Sequence, residues 1–191
     1  AWSAILIGIA GLAGAGLLLA GRWAVLWLAL PAVGVLGLTL ALSVWLGPRR
    51  LATELIGVTG LALAAPAAYV AATGRLDTTA WLVWALSAGH SVISVLYVRL
   101  RISVRHQRAT RAEALTVVAA HALTLGAVVG GALRGWLPPL VALPIATLLG
   151  RAVYAAWRKP PLENVKRFGF VETGFALGFA LLVTVAFAVA P

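Results

Sequence analysis

The sequence predicts an all-α fold: a polytopic transmembrane helical bundle of about seven spans forming a single domain over 1–191, with the N-terminus cytoplasmic and the C-terminus outside. Three observations carry this. The chain is 62% hydrophobic and 10% charged, where a soluble domain holds about 25% charged residues, and its mean hydropathy is +1.02. Its apolar residues gather into seven stretches, 2–20, 23–46, 55–73, 80–98, 114–133, 137–157 and 169–190, each near the roughly 20 helical residues that a ~30 Å hydrocarbon core requires. The basic residues fall in the gaps between them, in alternation. Helices are expected because lipid offers no water partner to a backbone group, and a β-barrel would show short alternating segments instead.

Taken in order, each span has its own marks. The first is rich in Ala and Gly, and it opens at Ala1-Trp2 already inside an apolar run, in a chain without Met. We expect it to be the visible part of a longer N-terminus. A cleaved signal peptide is the alternative, but the polar mature sequence that usually follows one is missing. The second, third and sixth spans contain Pro31, Pro66 and Pro144, each expected to remove a backbone donor and kink its helix. The fifth holds Gly126-Ala127-Val128-Val129-Gly130 and the seventh Gly174-Phe175-Ala176-Leu177-Gly178. Such small-residue spacing lets helices approach closely, here expected as packing within the chain.

Charge orients the bundle. The second, fourth and sixth gaps carry Arg49 and Arg50, then Arg99, Arg101, Arg105, Arg108 and Arg111, then Arg158, Lys159, Lys166 and Arg167, against Arg22, Arg75 and Arg134 in the others. Eleven against three is the asymmetry of the positive-inside rule, which puts the even gaps in the cytoplasm. Trp23, Trp81, Trp84 and Trp136 fall near outer helix ends, and Trp45 and Trp157 near inner ends, as interfacial anchors do. The net charge of +10 is explained by this topology, so nucleic acid is not an expected partner. Membrane lipids are, above all the anionic inner leaflet beneath the arginine-rich stretch 98–111, where each basic residue contributes about 1 kcal/mol.

Ionisable groups inside spans are costly and mark candidate sites. His90 lies nine residues before Arg99 and His121 eight after Glu113, so at about 1.5 Å per residue both sit roughly 12–14 Å deep on consecutive helices. Ser87, His90, Ser91 and Ser94 share one helix face, and His121 and Thr124 another. Both faces are expected to turn inward. One reading is a hydrogen-bonded contact fastening two helices. Others are a proton relay, a polar-substrate contact, or axial ligation of haem b by His90 and His121. No cofactor is the expectation, with haem b the alternative.

A second cluster lies on the cytoplasmic side, with Glu54, Glu113, Glu163 and Glu172. Arg151 is at a depth comparable to Glu172 on the preceding span, so an ion pair is expected there. It is either structural or part of a cation-rich vestibule for an anionic headgroup or solute. The absence of Cys excludes disulfides, thiolate metal sites and cysteine nucleophiles. No DxxxD motif, nucleophile elbow, P-loop or metal-spaced His cluster occurs, so enzyme activity has no support and no catalytic or metal residue is named.

The opening Ala1-Trp2-Ser3-Ala4-Ile5-Leu6, the run Val95-Leu96-Tyr97-Val98-Arg99-Leu100-Arg101 and Asn164-Val165-Lys166-Arg167-Phe168-Gly169-Phe170-Val171-Glu172 resemble the YwiC-like family of bacterial membrane proteins. The likeness extends over most of the chain. The family pattern has Glu-His-Gly directly before the Ala-Trp, and those residues are absent here. The resemblance implies a multi-helix protein of the bacterial cytoplasmic (inner) membrane and no particular reaction. The helical character is loosely similar to UbiA-type prenyltransferases, whose acidic motif is missing. The expected function is non-enzymatic binding or transport of a small anionic or amphipathic molecule from the cytoplasmic side, through Arg151, Glu172, His90, His121, Ser87, Ser91 and Ser94. The alternative is an accessory subunit of a larger, redox-linked or respiratory, membrane complex.

Overall fold

Helices account for nearly every turn of the backbone in the computed structural model, which describes residues 2–162 and 164–190, with side chains from residue 8 on. Glu163 and the side chains of the opening motif lie outside the described residues. The order is α1 (Trp2–Leu19), α2 (Val25–Trp45), α3 (Leu51–Leu61), α4 (Ala64–Thr73), α5 (Thr78–Arg105), α6 (Arg111–Leu133), a 3-10 turn (Pro139–Val141), α7 (Ala142–Arg158) and α8 (Val165–Val189). No strand occurs among the described residues. Six segments are long and apolar enough to cross a bilayer: Val25–Trp45, Leu51–Thr73, Thr78–Arg105, Arg111–Leu133, Pro139–Arg158 and Val165–Val189, while Gly8–Leu19 is a shorter apolar helix. An integral, multi-pass membrane protein fits this architecture. The chain divides into two units, Ala1–Ser91 and Val92–Pro191, with the boundary inside α5.

In the first unit α2 packs along α3 and α4. Gly60 is what allows the approach, because a Cβ there would collide with Val35. The hydroxyls on these helices are satisfied at home: Thr39 donates to the Val35 carbonyl at 2.7 Å, Ser43 to Thr39 at 2.7 Å and Thr59 to Leu55 at 2.8 Å. That removes the cost of exposing a polar group to lipid. Asp77 starts α5, one carboxylate oxygen accepting from Ala80 N at 3.2 Å and the other from Tyr69 OH at 3.0 Å. The Trp84 indole N–H reaches the Thr59 carbonyl at 3.3 Å.

The three prolines have three outcomes. Pro66 separates α3 from α4: it lacks the N–H that Ala62's carbonyl would receive, and Ala65 N takes that carbonyl at 3.1 Å. Pro31 sits inside an unbroken α2. Pro144 occupies the first turn of α7, where an N–H has no intrahelical carbonyl to reach, so it starts a helix and does not interrupt one.

The second unit carries the tighter packing. The buried positions of α7 are Pro144, Ile145, Leu148, Ala152, Ala155 and Ala156, one stripe at helical spacing. Its three alanines let α7 close on Tyr97, Leu100, Ala114 and Val117 in one core. The expected close packing at the GxxxG pairs is not seen: a Cβ at Gly126, Gly130, Gly174 or Gly178 would meet no atom within 4 Å. The close approach in this unit is at Gly131, where a Cβ would lie 2.9 Å from Leu137 Cδ1.

Helix α5 also runs past the apolar stretch that ended at 98, continuing to Arg105. Helical geometry therefore distributes the arginines around the axis. Leu100 and Arg101 are buried while Ile102 is exposed. Arg101 is thus largely withdrawn from the protein surface.

Candidate functional site

The site is built around Arg151, in the middle of α7. Glu172 and Phe175 stand three apart on α8 and so share its face, and both meet the Arg151 side chain. Arg151 Nη2 donates to Glu172 Oε1, and its guanidinium carbon lies 3.6 Å from the Phe175 ring centre and 4.8 Å from that of Tyr97. Two aromatic faces thus flank the cation, the arrangement in which ring quadrupoles attract it most. The pair is largely buried, at 18% and 17% exposure. Arg151 Nη1 is buried without a hydrogen-bond partner among the described residues.

Local sequence holds the surrounding elements in place. Pro160 and Pro161 follow the C-cap Lys159 and stop α7. Arg101 Nη2 donates to the Pro160 carbonyl at 3.2 Å and Arg105 Nη1 to that of Leu162 at 3.4 Å, pinning the connection to α8. Asn164 opens α8, its Oδ1 accepting from Arg167 N at 3.0 Å. Arg101 also lies over Phe168, 5.6 Å from its ring centre, and Phe168 tilts against Tyr97 at 6.2 Å. Arg101 is 9% exposed, and its Nε has no hydrogen-bond partner among the described residues.

Between these groups opens a cavity of about 390 Å³ lined by Tyr97, Arg101, Arg151, Arg167, Phe168 and Glu172 among others. Its size is that of a small-molecule site. Among the described residues of the lining three guanidinium groups stand against one carboxylate, an excess of positive charge. Such a set can hold an anion through paired N–H donors.

Of the residues picked out from the sequence, Arg151, Glu172, His121 and Ser94 come together, joining Tyr97 and Leu148 around a space of about 10 Å³, the room of a single water. His121 Nδ1 lies 2.7 Å from the Val117 carbonyl. A carbonyl only accepts, so Nδ1 carries the proton and, in the neutral ring, Nε2 is the acceptor. The Tyr97 ring meets the imidazole edge-on at 6.5 Å. His90, Ser87 and Ser91 belong to the first unit. His90 is buried there, and the Ser91 hydroxyl donates to the Ser87 carbonyl at 2.8 Å. Glu113 serves the α5–α6 turn: its N–H is capped by Thr110 at 3.1 Å, and its carboxylate accepts from Ser103 at 2.8 Å.

Tyr97, Arg101, Arg167, Phe168 and Phe175 are not among the binding residues expected from the sequence. A signal was present, since Tyr97 and Arg101 are four apart, and Phe168, Glu172 and Phe175 follow i, i+4, i+7. No protein-family model matches the chain, and no curated protein and no solved structure is significantly similar to it.

Proposed function

We propose that this protein binds or transports a small anionic or amphipathic molecule from the cytoplasmic side of the membrane. The observation that carries the reading is the cavity beside Arg151, where the described residues set three arginines against one glutamate and leave two buried guanidinium nitrogens without acceptors. A buried donor without a partner costs about 1–3 kcal/mol, and an anion entering the cavity would supply the acceptors. Native mass spectrometry and thermal shift against inorganic phosphate, sulfate and phosphorylated metabolites test the idea. At least one anion is expected to bind, and Arg151→Ala and the more exposed Arg167→Ala should each weaken it by about tenfold, ~1.4 kcal/mol. Absence of any bound anion, or binding indifferent to both substitutions, overturns the proposal.

The orientation that puts this cavity in the cytoplasm rests on the eleven-to-three distribution of basic residues. In this topology α1 is the first of seven spans, added to the six longer ones, with the N-terminus inside and the C-terminus outside, in a bacterial cytoplasmic membrane. The native chain has no Cys, so single introduced cysteines report cleanly. Those near Arg105 and Lys159 should label only from the cytoplasm, and those near Asp77 and Arg134 only from outside. The reverse pattern sinks the orientation.

A further inference from the structure

A second cavity, of about 440 Å³, runs between α7 and α8, with Pro144, Thr147 and Leu148 on one side and Gly174, Gly178 and Leu182 on the other. Val171 lines both cavities, and Phe175, whose ring covers the Arg151 guanidinium, also lines this one. An apolar groove therefore adjoins a cationic pocket. The groove exists because two side chains are missing: a Cβ at Gly174 or Gly178 would meet nothing within 4 Å. From Val171 to Leu182 the helix rises roughly 16 Å at ~1.5 Å per residue, about half of the ~30 Å hydrocarbon core. That is the depth of one leaflet.

We infer that the ligand is a membrane lipid with a phosphate-bearing anionic headgroup, held by Arg101, Arg151 and Arg167, with one hydrocarbon chain lying in the α7–α8 groove. This rests on the anion-binding reading above and names its substrate class. Charge complementarity selects the headgroup. Arg101 is more than nine-tenths buried and lines the pocket with an unmatched Nε–H, and Arg151 Nη1 is unmatched beside it. Phosphate oxygens accept from such donors in pairs, where a zwitterionic headgroup would bring its own cation among three arginines. The groove selects for a chain: a free phosphate ester would fill the pocket and leave the adjoining apolar channel unused. Head and chain are both met only by a lipid seated in the leaflet on the pocket's side.

The test compares three probes on the purified protein in neutral detergent by native mass spectrometry and titration: phosphatidic acid, phosphatidylcholine with the same chains, and glycerol 3-phosphate as the headgroup alone. Phosphatidic acid should be retained as a single molecule per chain, and about tenfold more tightly than either other probe. Gly178→Leu, with Gly174→Leu as a second variant, puts a side chain into the open groove. Either should weaken phosphatidic acid by about tenfold and leave glycerol 3-phosphate binding unchanged. Arg167→Gln should weaken both phosphate probes. If glycerol 3-phosphate binds as tightly as the lipid, or both glycine variants retain phosphatidic acid as before, the chain placement is overturned while the anion pocket stands. If phosphatidic acid shows no preference over phosphatidylcholine and glycerol 3-phosphate does not bind, both readings fall.

Discussion

Up to Ser91 the chain satisfies several hydroxyls within single helices, Thr39 on Val35, Ser43 on Thr39 and Thr59 on Leu55, while Tyr69 reaches Asp77 at the start of the next helix. Beyond Val92 it does the same with Thr116 and Thr184, but it also sends charged groups between elements far apart in sequence: Arg101 to Pro160, Arg105 to Leu162 and Arg151 to Glu172. Burial divides less cleanly, since 22% of the Leu51–Thr73 window is buried and 17% of the Val165–Val189 window, but the extremes fall on opposite sides. Only 6% of the α2 window is buried, against 39% of the window in Pro139–Arg158. A locally satisfied hydroxyl makes a helix acceptable to lipid and nothing more. A guanidinium reaching another helix ties two elements together, and its remaining N–H groups stay available to a ligand. The guanidinium groups of the proposed binding site all belong to the second unit.

The largest expected effect tests that contrast directly. Glu172→Ala would leave the Arg151 guanidinium buried between two rings with no counter-charge, and loss of one member of a buried pair costs about 3–5 kcal/mol. The double substitution Arg151→Leu with Glu172→Leu removes both charges and should recover most of that stability. In the first unit Thr39→Val deletes only a local hydrogen bond and should stay within about 0.5 kcal/mol. Equilibrium unfolding in mixed micelles measures all three. Should Glu172→Ala cost no more than Thr39→Val, the two units do not differ in the way described.

Much of the scaffold was legible because hydrophobic length is a strong signal: each stretch read from composition matches a helix to within a few residues at its ends, except that the third divides into α3 and α4, the fourth runs on to Arg105 and the sixth opens with the 3-10 turn before α7. The Arg151–Glu172 pair was legible as well, since two opposite charges at equal depth on neighbouring spans have few other ways to be tolerated. What was hidden has physical reasons. Arginine is a good helix former, so the basic run after Val98 extends α5 where charge density alone suggested a gap. Arg101 is buried because the segment carrying Pro160 and Leu162 returns to it, a contact between residues nearly sixty apart. Tyr97, Phe168 and Phe175 lie in helices apolar on almost every face, where one more aromatic position carries no periodic contrast. The glycine pairs misled for a related reason. Small residues permit close packing, but they also leave open space, and at Gly174 and Gly178 the structure has the space.

The smallest effect sharpens the comparison most, because it uses the same device in both units. Asp77 accepts the Ala80 N–H at the start of α5, at 3.2 Å, and Asn164 accepts the Arg167 N–H at the start of α8, at 3.0 Å. Replacing an N-cap by Ala costs about 1 kcal/mol, so Asp77→Ala and Asn164→Ala should lower stability by similar amounts in a parallel unfolding series. Their consequences for binding should diverge. The first turn of α8 carries Arg167 and Phe168 into the cationic cavity, and fraying it would let both side chains swing away from Tyr97 and Arg101. Asn164→Ala should therefore weaken phosphate-ester binding several-fold, an effect below about 1.4 kcal/mol. Asp77→Ala touches no residue of that lining and should leave the affinity where it was. Equal losses of affinity would mean that overall stability, and not the placement of the α8 turn, governs the pocket. A loss confined to Asn164→Ala ties the cap to ligand binding through the two side chains it holds in place.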